Sequence, residues 1–297
     1  MTITANPVAT ATPVGTVSAS TVDITPSFLT TAHGGIVTRT RQDDLSAVPA
    51  AIRSEWIKLR SLRSNRAIFA FTVVAGIVMS FVLATFVKTD PYDHQPFTAA
   101  GSFMVSSWLT LAMAVIAGIL HFTSEVQHGT LANSVAAQPA RWVLVAAKTT
   151  VLAGLGLAMG AAGMIAGYAS AMASGMDIGD TSGIAATIGW TLVLTTLGAM
   201  LGVGVGMIIR HSSAAVSAAL VWMFVVENLI RSTAPASVAR FLPFSAANGL
   251  LNIRSAGDTA ATLAARLSRT QDAFLFAGIT TAVIAIGTVL LYRRDAD

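Results

Sequence analysis

The chain has 297 residues, of which 54% are hydrophobic and only 11% charged, and its formal net charge is +4. A soluble domain carries about 25% charged residues, so this chain cannot cover a water-facing surface at that density and is predicted to lie in a membrane. The sequence contains no cysteine, which excludes disulfides and thiolate metal sites. Its basic residues gather beside apolar runs, and this placement indicates membrane topology rather than nucleic-acid binding.

Residues 1–47 are rich in Thr, Ala, Val, Ser and Pro and show neither a helical nor a strand period. They also lack the basic region and compact apolar core of a signal peptide. We expect a disordered cytoplasmic tail over this range, followed by a transmembrane domain over residues 48–297.

The segment 50–66 precedes the first apolar run and carries five cations. On a helical wheel its apolar residues form one stripe. It is either an interfacial amphipathic helix, with tryptophan at headgroup depth and cations toward anionic lipid, or an ordinary anchor that fixes orientation by its charge. The residues assigned to this N-terminal elbow helix are Ile52, Trp56, Leu59, Arg60 and Arg63.

Six apolar runs follow, each long enough to cross the ~30 Å hydrocarbon core as a helix. Because backbone polar groups in lipid must be paired within their own segment, each run is predicted to be helical. A barrel would need alternating segments of about ten residues, whereas these runs are continuous. The predicted fold class is all-α, a polytopic membrane protein with six transmembrane helices. The runs cover residues 67–87, 101–122, 149–173, 184–209, 212–230 and 273–292.

The charges of the connections set the orientation. Cations precede the first run and flank the second-to-third and fourth-to-fifth connections, and Arg293 and Arg294 follow the last run. The positive-inside rule then places the chain in the cell membrane with both termini cytoplasmic. The segment 231–272 carries five arginines and would lie outside. Long loops obey the rule poorly, and a re-entrant element before the last helix also fits this segment.

Glycines occur four residues apart in two pairs of the third run and in a row of three in the fourth run. Small residues at this spacing make a flat helix face and let two backbones approach closely in lipid. The face either packs inside one bundle or forms a dimer seam or sliding surface. The glycines are Gly156, Gly160, Gly163, Gly167, Gly198, Gly202 and Gly206.

Three polar residues near the second run share one helical face, because His121, Glu125 and His128 lie at i, i+4 and i+7. A metal site needs further ligands, and none appears beside them, so we predict a polar cluster at the interface and no metal. Downstream, Lys148 and Thr149 lack the glycines of a phosphate-binding loop, so any ATP must be bound by another chain.

Glu227 is the one carboxylate inside an apolar run. Burying it deeply costs roughly 3 kcal/mol on an insertion scale. It either reaches the outer headgroups or acts inside the bundle, as a pathway-lining or helix-pairing residue. Since a charged substrate would need more such groups in the membrane, we expect an amphipathic or apolar substrate.

Three stretches together resemble a known family. They are RSEWIKLRSLRS at 53–64, EVQHGT at 125–130 with Pro139, Arg141 and Lys148 downstream, and FLPFSAA at 241–247. Their order is similar to the elbow helix, the Glu-x-x-x-Gly-Thr segment and the outer loop of actinobacterial-style ATP-binding-cassette permeases of the second exporter type.

This resemblance implies a half-transporter in which two permease chains, identical or different, pair in the lipid. Separate ATP-binding-cassette subunits would hold ATP and Mg²⁺, so this chain is expected to carry no cofactor and no catalytic residue. Gly129 would bend the chain, Thr130 would cap a following helix, and Glu125 would favour its dipole. The residues expected to couple to the ATPase are Glu125, His128, Gly129, Thr130, Pro139 and Arg141.

The function predicted is therefore that of a permease subunit in an ATP-driven exporter. The alternative is an ion- or proton-coupled secondary carrier that works without an ATPase. An intramembrane enzyme is disfavoured because the runs contain no catalytic dyad and no HExxH motif. A fourth alternative is a membrane scaffold that recruits a partner and transports nothing.

Overall fold

The computed structural model describes residues 41–61, 63–87, 98–177, 184–253 and 260–294, and every element in these ranges is helical. Most of the predicted tail, up to Thr40, lies outside the described residues, as does most of the predicted loops 88–100 and 174–183. The helix that follows the tail begins at Arg41, within the range predicted to be disordered.

Twelve α-helices and one π-helical turn make up the described residues. Six continuous rods among them are long and apolar enough to span a membrane, which confirms the predicted fold class. The π-helical turn, Trp222–Val226, joins α7 to α8 so that Ser212–Thr233 forms one rod. The helices are α1 Arg41–Ser61, α2 Arg63–Phe86, α3 Ala99–Gln127, α4 Leu131–Ala137, α5 Arg141–Ala173, α6 Ile184–Ile209, α7 Ser212–Val221, α8 Glu227–Thr233, α9 Ala236–Ala239, α10 Pro243–Leu251, α11 Ala260–Ala264 and α12 Arg269–Arg294.

Helix α6 forms the centre of the bundle, packed against α3, α5 and α12. Helix α2 lies on the opposite side of α5 and α3, and α7 packs on α3. The spans in α3, α5 and α6 are mostly buried, whereas those in α2, α7–α8 and α12 are mostly exposed and carry apolar side chains such as Phe71 and Phe224. Exposed apolar rods of this kind suit a lipid environment.

The second and third spans are longer than the hydropathy pattern predicts. Helix α3 continues to Gln127, five residues past the predicted end, and α5 begins at Arg141, eight residues before the predicted start. The predicted bounds stop where His121, Glu125 and Lys148 lower the hydropathy. In the fold Lys148 donates to Glu125, and His121 lies within hydrogen-bond distance of Glu55, so the helices continue through these polar groups.

The glycine faces of α5 and α6 are covered by helices of the same chain. A Cβ at Gly202 would lie 2.1 Å from the Val115 carbonyl oxygen and 3.0 Å from Gly118 Cα on α3. A Cβ at Gly156 would lie 2.5 Å from the Thr195 carbonyl oxygen on α6. Tight packing inside one bundle is thus confirmed, and these faces do not form a dimer seam.

The segment before the last span, where a re-entrant element was one expectation, contains the buried helix α10. Helix α10 packs against α12 and α6, at the end of the bundle where α3 begins, hereafter the far end. On α3, Trp108 Nε1 donates to Asn248 Oδ1 at 2.5 Å, and the Trp108 ring lies beside Phe244. A Cβ at Gly249 would overlap the Asp272 carboxylate, so glycine is what allows α12 to approach α10 here.

Candidate functional site

The α3–α4 turn reverses the chain at the end of the bundle opposite the far end. Gly129 adopts φ +68°, a left-handed conformation that glycine accepts without a Cβ penalty. The Gly129 N–H donates to the Val126 carbonyl at 3.2 Å, and the Thr130 N–H donates to the Glu125 carbonyl at 2.9 Å. These two bonds form a Schellman motif, which ends α3 and allows α4 to start in a new direction. The bend predicted at Gly129 is present.

A cluster of charged side chains lies beneath this turn and joins three helices. Lys148 Nζ on α5 donates to Glu55 Oε2 on α1 at 2.7 Å and to Glu125 Oε1 on α3 at 2.6 Å. His121 Nε2 lies 3.3 Å from Glu55 Oε2. Lys58 Nζ lies 2.6 Å from Glu55 Oε1 and 3.3 Å from Glu125 Oε1. We call Glu55, Lys58, His121, Glu125 and Lys148 the charged cluster.

The charged cluster balances two carboxylates with two ammonium groups. Glu55 and Lys148 are each 1% exposed, so their charges are held almost out of water. Glu55, His121 and Glu125 offer ligand atoms within 4.8 Å of one another, a spacing that suits a metal ion. However, the Lys148 ammonium group bonds both carboxylates, and so it fills the cation's role. The geometry therefore favours an ion-pair network over a metal site.

The pKa of each α1 residue in the cluster follows from its partners. Burial alone would raise the pKa of Glu55, but the hydrogen bond to His121 and the charge of Lys148 outweigh it and hold this pKa well below its ordinary value of 4.5. Burial would lower the pKa of Lys58, but the carboxylates of Glu55 and Glu125 outweigh it and raise this pKa above its ordinary value of 10.5.

These shifts predict how stability depends on pH. Because the pKa of Glu55 is lowered on folding, its contribution is present above about pH 4.5 and is lost as the pH falls. Because the pKa of Lys58 is raised, its contribution is present below about pH 10.5 and is lost as the pH rises. Between about pH 4.5 and pH 10.5, neither group should change the thermal unfolding midpoint of the purified protein. Below about pH 4.5, the midpoint should fall. In Glu55→Gln that acid decline should be shallower, and an equally steep decline would contradict the assignment.

The other residues predicted at the turn, His128, Thr130 and Glu125, do not share one set of contacts. His128 is exposed and its Nδ1 lies 2.7 Å from the Ser124 carbonyl oxygen, so it does not join His121 and Glu125. The predicted cap at Thr130 is wrong, since its side chain makes no capping bond to α4 and its hydroxyl donates back to the Glu125 carbonyl. The Glu125 carboxylate bonds lysines rather than the start of α4, because two ammonium groups lie closer to it.

Arg141 and Pro139 follow α4. Pro139 is exposed in the short connection to α5. Arg141 Nη1 donates to the carbonyls of Leu291 and Tyr292 at 2.9 and 3.1 Å, and its guanidinium group lies 5.3 Å from the centroid of the Tyr292 ring. A cation at the end of α12 satisfies carbonyls that the helix itself leaves unpaired. Arg141 therefore ties α5 to the last span.

The elbow helix α1 packs against α5 with Ile52 and Leu59 of the predicted stripe, whereas Trp56 of the same stripe stays exposed. Leu59 is buried and Ile52 half-buried, whereas Trp56 is 45% exposed. Arg60 lies 5.8 Å from the centroid of the Trp56 ring, and Arg63 is exposed. The acidic Glu55 lies on the buried face because the charged cluster neutralises it.

Glu227 pairs helices at the far end. It is 1% exposed, so the interpretation that it reaches the outer headgroups is wrong. Its Oε1 accepts the backbone N–H of Ser245 in the first turn of α10. A carboxylate at a helix N-terminus satisfies an otherwise unpaired donor and favours the helix dipole. This geometry supports the helix-pairing interpretation.

The sequence interpretation missed Lys58 and Lys148 as partners of Glu125, and it missed Glu55 as the second carboxylate that binds the same lysines. A usable signal was present, because an ionisable residue inside a span normally pairs with one of opposite charge. Glu125 and Lys148 flank the same connection, and Glu55 precedes the first span on the same predicted side. Their pairing was overlooked because Glu125 and Lys148 were placed outside the spans.

A family model described as "ABC-2 family transporter protein" matches residues 51–233, more than half of the chain. The chain belongs to this ABC-2 family. It is thus an ABC-transporter permease subunit and a multi-pass membrane protein, a transport component rather than a catalytic one. No curated protein and no solved structure matches the chain.

In this ABC-2 permease a groove opens beside the charged cluster. It has a volume of about 370 Å³ and lies between the end of α1 and the α3–α4 turn. Hydroxyl groups and the edge of the charged cluster line it, and the exposed face of α4 lies next to it. The lining residues are Lys58, Ser61, Ser124, Glu125, His128, Thr130 and Ser134.

Proposed function

We propose that this ABC-2 permease is the membrane subunit of an ATP-driven exporter of amphipathic or apolar molecules. A separate ATP-binding subunit docks on the α3–α4 turn, α4 and the adjoining groove, and a second permease chain completes the pathway. The family supports an ATP-binding partner in general terms. ATP and Mg²⁺ would be bound by that partner.

The charged cluster carries this proposal. It ties the elbow helix α1, the end of α3 and the start of α5 together through Lys148, directly beneath an exposed turn and short helix. A push on α4 is therefore transmitted to three helices as one body, because buried ion pairs resist separation. That is the property a lever between an ATPase and a membrane bundle needs.

The distribution of cations supports an orientation with this end in the cytoplasm. Helix α1, the α3–α4 turn, Arg210 and the end of α12 all lie at this end, and Arg294 Nη1 donates to the Ile208 carbonyl at 2.9 Å. The positive-inside rule then makes both termini cytoplasmic. The far end would face outward.

An apolar groove supports the substrate class. It has a volume of about 360 Å³, and every residue that lines it is apolar or aromatic. Pockets of this size and lining hold small apolar ligands or parts of larger ones. The lining residues are Val115, Leu201, Val205, Ala218, Ala219, Trp222, Pro243, Phe244, Ile279 and Val283.

Docking on α4 is tested by placing a charge on its exposed surface. We expect Ala136→Arg to reduce co-purification of a co-expressed ATP-binding subunit by roughly tenfold, because an unpaired charge in an interface is costly. ATP-driven transport in vesicles should fall in parallel. Ala264→Arg is the matched control, since Ala264 is exposed on α11 at the far end.

Full complex formation by Ala136→Arg, or after replacement of residues 125–141 by a neutral linker, would contradict the docking proposal. Transport that persists without any ATPase and follows a proton gradient would instead identify a secondary carrier.

A further inference from the structure

The far end concentrates positive charge where the proposed orientation expects little. Of the five arginines in segment 231–272, three line one cleft between α8, α9, α10 and the start of α12. Thr262 and Ser245 add hydroxyl groups, and Asp272 is the acidic residue of the lining. The three arginines are Arg231, Arg240 and Arg266.

Among the described residues around the arginine cleft, positive charge exceeds negative charge. Arg231 lies near the Glu227 carboxylate and Arg266 near the Asp272 carboxylate, and Arg266 Nη2 also donates to the Ile253 carbonyl oxygen at 2.7 Å. Three guanidinium groups against these two carboxylates leave one positive charge on the described side chains, which matches the single negative charge of a phosphodiester. Arg240 is exposed at the cleft with its guanidinium group 4.7 Å from the centroid of the Phe241 ring.

The dimensions of the arginine cleft fit the edge of a headgroup. It has room for a water-sized group over about 30 Å³, and its total volume is about 390 Å³ when the space open to solvent is included. A phosphate oxygen can therefore insert while the rest of a headgroup stays at the mouth. Guanidinium groups favour phosphate because their planar donors bond two of its oxygens.

The apolar groove described above lies near the arginine cleft, since α10 and α12 contribute residues to both. On α10, Phe244 lines the groove and the next residue, Ser245, lines the cleft. On α12, Asp272 lines the cleft, and Ile279 lies seven residues on, about 10 Å further along a helix. A molecule with an anionic head and an apolar tail can occupy both at once.

We propose that the arginine cleft and the apolar groove together form a binding site for an anionic amphiphile whose head carries a phosphodiester, a phospholipid of the bilayer. The cleft holds the phosphate, and the groove holds the first part of an acyl chain. Binding itself is independent of the ATPase. That the bound lipid is also the cargo rests on the proposed function.

Native mass spectrometry of the purified permease in detergent tests the site. Phosphatidylglycerol and diacylglycerol with the same acyl chains are added at equal concentration, so that the lipids differ only in the head. We expect phosphatidylglycerol to be retained roughly tenfold more, the effect of one or more lost charge-assisted bonds. Arg240→Gln with Arg266→Gln should abolish this preference, and Ala219→Trp, which fills the groove, should weaken retention of both lipids.

Two variants keep the test decisive. Arg240→Gln alone changes an exposed side chain, so folding should be unaffected and the preference should fall at least threefold. Arg293→Gln, at the opposite end, should leave the preference unchanged. Equal retention of the two lipids, an unchanged preference in the double variant, or an equal loss in Arg293→Gln would overturn the site.

Reconstitution with the ATPase tests whether the bound lipid is also transported, independently of whether it binds. If phosphatidylglycerol binds through the arginines but the assembled complex does not move it, the site stands and the cargo assignment fails. If no ATPase associates with a permease that binds this lipid normally, the proposed function fails and the site again stands.

Discussion

Replacing Lys148 by methionine is expected to lower the free energy of unfolding by about 3–5 kcal/mol, the usual cost of removing one partner from a buried ion pair. Methionine preserves most of the side-chain length, so the change isolates the charge. Glu55 and Glu125 would be left buried on α1 and α3 with their ammonium bridge removed. Unfolding of the purified permease by SDS titration, followed by circular dichroism, measures the loss.

Lys58→Met is the matched control for this prediction. The Lys58 side chain is 36% exposed, so water can replace its ammonium group, and the loss should stay within about 1 kcal/mol. Combining Lys148→Met with Glu125→Gln should recover part of the stability, because it removes one of the two stranded carboxylates. A Lys148→Met protein as stable as Lys58→Met would show that the charged cluster does not hold the three helices together.

Gly202→Ala is expected to destabilise the bundle by about 1–3 kcal/mol or more, through overpacking at the α3–α6 crossing. The added Cβ would lie 2.1 Å from the Val115 carbonyl oxygen, and backbone atoms cannot move aside as a side chain can. Because α6 is the centre of the bundle, separation at this crossing also disturbs its contacts with α5 and α12. The same SDS titration gives the change in unfolding free energy.

Gly154→Ala on α5 provides the comparison, because a Cβ there meets nothing within 4 Å. It should be neutral or stabilising by up to about 1 kcal/mol, the difference in helix propensity between alanine and glycine. Gly118→Ala should behave like Gly202→Ala, since Gly118 faces it across the crossing. The double variant should cost less than the sum of the two, because the first substitution already separates the helices. Equal effects at Gly154 and Gly202 would contradict the close crossing.

The number and type of spans were predictable from the sequence, whereas the ends of two of them were not. Lipid requires each apolar run to pair its own backbone groups, and hydropathy detects that requirement locally. The ends of α3 and α5 depended instead on whether Glu125 and Lys148 find partners. Hydropathy counts such residues as polar wherever they lie, and so it placed both outside the spans.

In the proposed coupling region, too, some features were predictable from the sequence and others were not. The bend at Gly129 was predicted because a left-handed residue after a helix is a local property of the chain. The cap expected at Thr130 was not formed, because its hydroxyl group donates back to the Glu125 carbonyl oxygen and accepts no backbone N–H of α4. The role of Arg141 in binding the end of α12 depends on a helix 150 residues away in the sequence.

The sequence by itself determined that the chain is an all-helical membrane protein with six spans, and its motifs indicated the family. These properties depend on composition and on local sequence patterns, and each segment has them without contact to the rest of the chain. The tertiary structure decided which charges meet: Glu55 and Lys148 are 93 residues apart in the chain, yet their side chains lie 2.7 Å apart. Coulomb energy depends on distance through space, so only the packed helices determine which charges are neutralised.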